Sequence, residues 1–195
     1  MARPRSFTDS DVLDRAMDCF WSDGLNGTSV RDLAEVTGLQ APSLYNAFGD
    51  KRALFAAVLE RYAERFMRER VARLEAMDDP KAAIIAFLDE LIERSVADPD
   101  GRGCLLVNSA LEVAPHDPEL AVLIGRHLDD VRAFFERSLT RIAAAGLLRA
   151  EVTPADGAAH FLALVLAIRV ASRMRPDRDH LTAMMRPALT LFASP

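Results

Sequence analysis

A small residue at Ala34, a glycine at Gly38 and an apolar Leu44 constrain the fold of this chain more than any other feature. Ser29 and Asp32 form a capping box that opens a short helix, and its Val30, Leu33 and Ala34 recur at helical spacing. Ala34 lets a second helix approach closely, Gly38 can take the left-handed backbone of a tight turn, and Leu44 packs the second helix onto the first. The second helix is expected over about Ala41 to Ala47, which makes the pair a helix-turn-helix. An ordinary αα-hairpin shares the same small-glycine-apolar pattern.

Helical periodicity extends through the rest of the chain, with no internal repeat and no strand alternation, so the expected fold class is all-α. Thr8 and Asp11 form a capping box, Phe7 and Val12 a hydrophobic staple, and the first helix should run from Asp9 to Ser22 with Gly24 as its stop. Asp50 caps a long helix expected from Lys51 to Met77, with Phe55, Val58, Leu59, Tyr62, Phe66, Met67 and Leu74 on one broad stripe. Pro80 opens another helix, and a shorter one follows from Cys104 to Val113. Asp117 and Pro118 start a long helix that Gly146 ends. A capping box at Thr153 and Asp156 introduces the nearly all-apolar stretch AAHFLALVLAIRVA, and a last helix should span Arg178 to Phe192. Phe20, Trp21, Phe48 and Phe55 read as core. The expected organisation is a three-helix head over residues 1–52 joined to a helical domain over residues 53–195.

Composition narrows the class. With 195 residues, half of them hydrophobic and 27% charged, the chain can bury a core as an ordinary soluble protein. Cys19 and Cys104 form neither a disulfide framework nor a paired metal spacing, which fits a reducing cytoplasm. The opening residues lack the apolar core of a signal peptide, and the longest apolar run, Phe161 to Ile168, is far short of the roughly 20 residues needed to span a bilayer. His116, His127, His160 and His180 are scattered, and no HExxH, GxSxG or phosphate loop occurs, so no enzyme, metal or cofactor is expected. A metal sensor built on Cys104 and His116 would lack paired ligand spacing. The net charge is −5, and residues 1–52 carry six basic against eight acidic side chains. Phosphate contact would therefore depend on where Arg3, Arg5, Lys51 and Arg52 project rather than on bulk charge.

The segment TSVRDLAEVTGL followed by LYNAFGDKRAL resembles the N-terminal signature of TetR-family regulators, T-(T/S)-V-x-x-(I/L)-A-x-x-x-G-(V/L) and then L-Y-x-x-F-x-x-K-x-x-L, over about residues 7 to 60 without a gap. The resemblance implies a dimeric repressor that a small effector, bound in the C-terminal domain, releases from a palindromic double-stranded operator. Residues 1–52 would then be the DNA-binding domain and 53–195 the effector-binding and dimerisation domain, with the homodimer formed through the last two helices. Gln40, Ala41, Ser43 and Asn46 would face the major groove, with Asn46 the foremost base reader. Ser29, Tyr45 and Lys51 would touch phosphate. Ala47 is shorter than the side chain of many relatives there, and Pro42 removes a backbone N–H from the first turn.

An effector pocket is expected among Phe66, Phe87, Leu91, Leu106, Cys104, Asn108, Leu111, Phe134 and His160. Asn108 and His160 could alternatively make structural hydrogen bonds. The stretch GRGCLLVNSALEVAPHDPEL resembles a TetR subgroup with a G-C-L-(L/V)-V-N segment, some members of which sense electrophiles or oxidants through the cysteine. Cys104 at a helix start beside Arg102 would favour such thiolate chemistry, although a buried cysteine is also a common core residue. A regulator without any small effector is the remaining alternative.

Overall fold

The computed structural model describes residues 8–192; Arg3, Arg5 and the staple residue Phe7 lie outside that range. Among the described residues the chain forms helices α1 (Asp9–Gly27), α2 (Val30–Thr37), α3 (Ala41–Phe48), α4 (Lys51–Ala63), α5 (Glu69–Glu75), α6 (Pro80–Val96), α7 (Leu105–Glu112), α8 (Pro118–Ala144), α9 (Pro154–Met174) and α10 (Arg178–Met185). The all-α expectation holds, and the one strand-like feature is an isolated antiparallel bridge between Leu148 and Phe192.

Local chemistry sets most helix starts. Thr8 and Ser29 each complete a reciprocal capping box, while Asp50, Asp79, Asp117, Thr153 and Asp177 accept from first-turn N–H groups. Gly38 ends α2 at φ 71°, ψ 13°, the left-handed conformation its spacing required.

Three boundaries differ from expectation. Helix α1 does not stop at Ser22: Gly24 kinks it at φ 73°, ψ 177°, and one further turn continues to Gly27. The expected Lys51–Met77 helix is interrupted by a π-helical segment at Glu64–Arg68, where the N–H of Glu69 reaches the carbonyl of Glu64. A π turn keeps the 3.6-residue period within each flank and shifts only the phase between them, which is why period alone passes over it. The last helix is α-helical only to Met185 and becomes a 3₁₀ segment over Arg186–Leu191, where Pro187 has no N–H to donate.

Two linked cores result. In the head, Phe20 of α1 meets Phe55 of α4 edge-on at 5.0 Å, and Leu33 of α2 and Leu44 of α3 are buried with them. In the larger domain an aromatic chain runs Phe87, Phe134, Phe135, Phe161, Phe192, with successive ring centroids 5.2–6.1 Å apart. Helices α8 and α9 form the most extensive pair, and α9 buries Phe161, Val165, Ile168 and Arg169. By length and composition α9 could cross a membrane, yet these residues pack it into the helical core. Its other side exposes His160, Ala163, Ala167, Val170 and Met174 at heptad-like spacing.

Phe135→Ala should lower the unfolding free energy by about 3–5 kcal/mol in urea melts, the usual loss for a fully buried aromatic. His127 supplies a pH dependence. It is 1% exposed, and burial lowers its pKa below the ordinary 6.5 despite Glu60 at 3.2 Å and Asp130 at 4.0 Å, with Arg68 and Arg126 acting in the same direction as burial. The unfolded chain therefore takes up this proton first, so stability falls as pH drops below 6.5. Thermal melts across pH 5 to 8 should show that slope flattened in His127→Gln, and an unchanged slope would remove His127 as its source.

Candidate functional site

Helix α3 offers a compact polar surface. Leu44 is buried against the head core, and this orients Ser43, Tyr45, Asn46 and Ala47 to solvent. Gln40 precedes the helix as its cap residue, yet its side chain makes no capping bond, so the amide is free to project from the exposed N-terminal end. Ala41 is half-buried behind it. Tyr45 is 42% exposed, which places its phenol outside the core. Ser29 is exposed at the start of α2, where its oxygen accepts from the Asp32 N–H at 3.2 Å. The helix pair thus presents side chains able to pair with base edges, flanked by groups able to meet phosphate.

The two basic residues after α3 are engaged within the protein. Lys51 Nζ donates to the carbonyls of Leu25 at 2.8 Å and Thr28 at 2.9 Å, tying the start of α4 to the end of α1. At most one of its three donors is left for phosphate, so its expected role as a phosphate contact is reduced by a structural one. Arg52 forms a bidentate pair with Asp117 (2.7 Å for one arm) and reaches Glu119 at 2.6 Å. This guanidinium holds the Asp117 carboxyl well below the usual carboxylate range. Glu112 of α7 accepts from the N–H of Asn26 at 3.0 Å and of Leu25 at 3.4 Å. Because a Cβ on Gly24 would fall within 2.8 Å of the Glu112 carboxylate, and its φ is positive, only glycine fits beneath this clamp. Arg61 grips Asp14 through two bonds of 3.0 Å, and Arg102 reaches Asp18 at 3.1 Å. The head is thus fastened to the larger domain by charge-assisted bonds along α1.

The expected pocket residues separate into groups. Phe87, Leu91, Leu106 and Phe134 are at most 1% exposed within the main core, Leu111 is 69% exposed, and His160 lies on the outer strip of α9. Of these six, only Leu111 lines any of the three clefts described next, because helical periodicity marks a buried face but not which part of it adjoins open space. Asn108 serves as a structural link, donating to the Arg102 carbonyl at 2.8 Å and accepting from Arg173 at 3.1 Å. With Leu111 it borders a polar cavity of about 350 Å³ between α1 and α7. A second cavity, about 270 Å³, lies between the π segment and α8 beside His127. Phe66 alone of the expected set reaches the third, about 220 Å³, which Trp21, Tyr62, Arg94, Asp98, Arg102, Gly103 and Arg169 also line.

Cys104 is 3% exposed, and the Tyr62 hydroxyl donates to its Sγ at 3.5 Å. Arg102 is not an activating partner for this thiol: its guanidinium stacks over Trp21 at 4.5 Å and pairs with Asp18. Burial raises the pKa of the other cysteine, Cys19. Sequence reading placed Trp21 and Tyr62 in packing roles and passed over Arg70, Arg94 and Arg169. A signal was present: Arg169 interrupts an otherwise apolar run, and Arg70 stands on the buried stripe between Met67 and Leu74.

A helix-turn-helix with an exposed polar recognition surface, fixed to a helical domain bordered by clefts, defines a DNA-binding regulator. Residues 12–58 match the family model for bacterial regulatory proteins of the tetR family, and residues 80–188 match the tetracyclin repressor-like C-terminal domain. The chain belongs to the TetR family. It is 33% identical over 186 residues to the uncharacterized HTH-type transcriptional regulator YezE of Bacillus subtilis, covering 92% of this chain and 95% of that one. The HTH-type transcriptional repressor ComR of Escherichia coli is 34% identical over 78% of this chain and 71% of its own. Among solved structures, a cysteine-substituted CifR bound to 26-base-pair operator DNA superposes with a TM-score of 0.86 at 29% identity, covering 98% of this chain and 100% of that one. These relatives are transcriptional regulators, not enzymes.

Lys51→Met should cost about 1.5–3 kcal/mol in chemical denaturation, as expected for bonds from a charged donor, while reducing the slope of log K against log salt by less than about one phosphate contact. A full unit of slope lost with stability intact would restore Lys51 to the phosphate-contact role.

Proposed function

We propose that this protein is a repressor that binds a palindromic operator as a homodimer and leaves it when a small molecule occupies the C-terminal domain. The exposed face of α3 carries the reading: Leu44 anchors the helix while Gln40, Ser43, Tyr45 and Asn46 project outward together. On this reading Asn46 and Gln40 meet base edges, Ser43 and Ala41 lie along the groove, and Tyr45 and Ser29 fix the phosphate register. Residues 1–52 act as the head and 53–195 as the regulatory and dimerising part. Operator DNA in the cytoplasm is the partner.

The exposed strip of α9 supports pairing with a second copy. Val170 is 42% and Met174 79% exposed, and with Ala163 and Ala167 they form a narrow apolar seam of the kind two helices bury together. Two heads would then meet successive major grooves about 34 Å apart, so a small rotation of each head is enough to weaken binding. A reversibly bound ligand is favoured over thiol modification by the burial of Cys104, since reactive cysteines sit in partly exposed positive surroundings.

A mobility shift against the DNA upstream of the protein's own gene, with a footprint, tests this. The expected result is a protected palindrome bound by a dimer, with Asn46→Ala relaxing base preference at one position per half-site by about 1–3 kcal/mol. Met174→Glu should shift the protein toward monomer in analytical ultracentrifugation and weaken operator binding with it. Binding that ignores DNA sequence, or a wild-type protein that remains monomeric on DNA, would overturn the proposal.

A further inference from the structure

The cleft of about 220 Å³ has a chemistry that the other two described above lack. One wall is aromatic: Trp21, Tyr62 and Phe66 pack against one another with ring centroids 4.9–5.7 Å apart. The rest is cationic, with Arg94 over the Phe66 ring at 5.2 Å, Arg102 over Trp21 at 4.5 Å, and Arg169. Asp98 is the one acidic lining residue, and its carboxylate already accepts from the Gly103 N–H at 3.0 Å and lies 4.0 Å from Arg102.

Two of the arginines near this cavity are buried without adequate partners. Arg169 is 7% exposed; its guanidinium donates to the neutral Ser95 hydroxyl at 3.1 Å, and among the described residues no carboxylate lies within ion-pair distance of it. Arg70 is 6% exposed and both of its terminal nitrogens lack a hydrogen-bond partner. Its nearest carboxylate, Glu90 at 3.6 Å, is held by two bonds of 2.7 Å from Arg73. Although Arg70 is not a lining residue, the charges of Arg94 and Arg169 act on it, and burial together with that repulsion lowers its pKa to about 10. The indole N–H of Trp21 and the Nε of Arg102 are likewise buried without a hydrogen bond, although Arg102 has the Asp98 and Asp100 carboxylates at 4.0 and 3.9 Å. Among the described residues, the buried side-chain atoms here without a hydrogen bond are all donors, and three of the four belong to guanidinium groups, so the missing component is an acceptor, and a negatively charged one suits the arginines.

We propose that this cavity binds a small organic acid, with Arg169 and Arg94 holding its carboxylate and Trp21, Tyr62 and Phe66 packing its apolar body. Planar guanidinium groups match a carboxylate in geometry as well as charge. The volume of about 220 Å³ is below the ~300–1,000 Å³ of sites for drug-sized molecules, which limits the ligand to one ring or a short chain. The π segment at Glu64–Arg68 carries Phe66 and directly follows the turn bearing Tyr62, so the helix is widened where the cavity opens. Trp21 belongs to α1 of the head and Arg102 is bonded to Asp18 on the same helix, so a ligand here touches the joint that positions the recognition helices. That this ligand is the effector rests on the function proposed above; that the cavity takes organic acids does not.

Calorimetry of the full-length protein without DNA, using benzoate, hexanoate, benzamide and inorganic phosphate, tests the cavity directly. Benzoate or hexanoate should bind at least about tenfold more tightly than benzamide or phosphate, the range of one hydrogen bond to a charged group. Arg169→Gln should weaken that binding by about tenfold to a hundredfold. Because Arg169 is buried, Arg94→Gln at the exposed side provides a second variant, expected to lose at least about tenfold in acid binding while keeping ligand-free operator affinity. Benzamide binding as well as benzoate, phosphate matching it, or no acid binding at all would overturn the proposal. Acid binding that leaves the operator complex intact would uphold the cavity's chemistry and overturn only the effector role.

Discussion

Helices of eight residues do not hold themselves in water, because nucleation costs more than so few hydrogen bonds return. Helices α2 and α3 are both of that length, so the recognition surface exists only insofar as α1 and α4 provide a floor for it. Phe20 and Phe55 form that floor, and Leu33 and Leu44 seat the two short helices on it. Lys51 then closes the assembly from below, satisfying two carbonyls left open where α1 ends and the chain turns into α2. The exposed polar face of α3 is thus a consequence of an apolar arrangement beneath it. The same dependence couples the short helices to one another, since neither is stable without the floor they share.

The joint between head and body has a different character. Glu112 on the α1 terminus, Arg61 on Asp14, Arg102 on Asp18 and Arg52 on Asp117 are charge-assisted contacts at partly exposed positions. Such pairs are each worth little in water but are strongly directional. These bonds fix the angle of a joint whose apolar part is the packing of Trp21 on Tyr62 and Phe66. Any rotation of the head as a body must therefore slide this aromatic contact as well as exchange the polar bonds around it.

The legible parts of the fold were those governed by local rules. Capping boxes at Thr8 and Ser29, the left-handed Gly38 and the buried Leu44 each depend on a few neighbouring residues, and the structure has them as the spacing implied. The π segment escaped because it shifts the phase between its flanks and not the period within either. The pocket escaped for a related reason. Phe87 and Phe134 are aromatic residues on apolar stripes as Phe66 is, but they are fully buried while Phe66 lines the cleft, and that depends on how α1, α4, α6 and α9 come together. Lys51 occupies its family position, yet which carbonyls lie within reach of its ammonium is a matter of three dimensions.

Arg169 shows where the sequence carried more than its periodicity revealed. A helix as apolar as α9 gains most from an aliphatic residue on its buried face, and an arginine there must be desolvated against a return of one bond to a serine hydroxyl. Arg70 repeats the arrangement on the opposite element, where aliphatic neighbours Met67 and Leu74 show what packing alone would favour. Each residue could be explained singly as an imperfection in the core. Two buried guanidinium groups close enough to repel one another, beside an aromatic wall and on the far side of the joint from the recognition helix, form a single electrostatic deficit. On the proposed binding of an organic acid, the ligand's negative charge offsets that deficit, so occupancy stabilises the folded protein in proportion to its affinity.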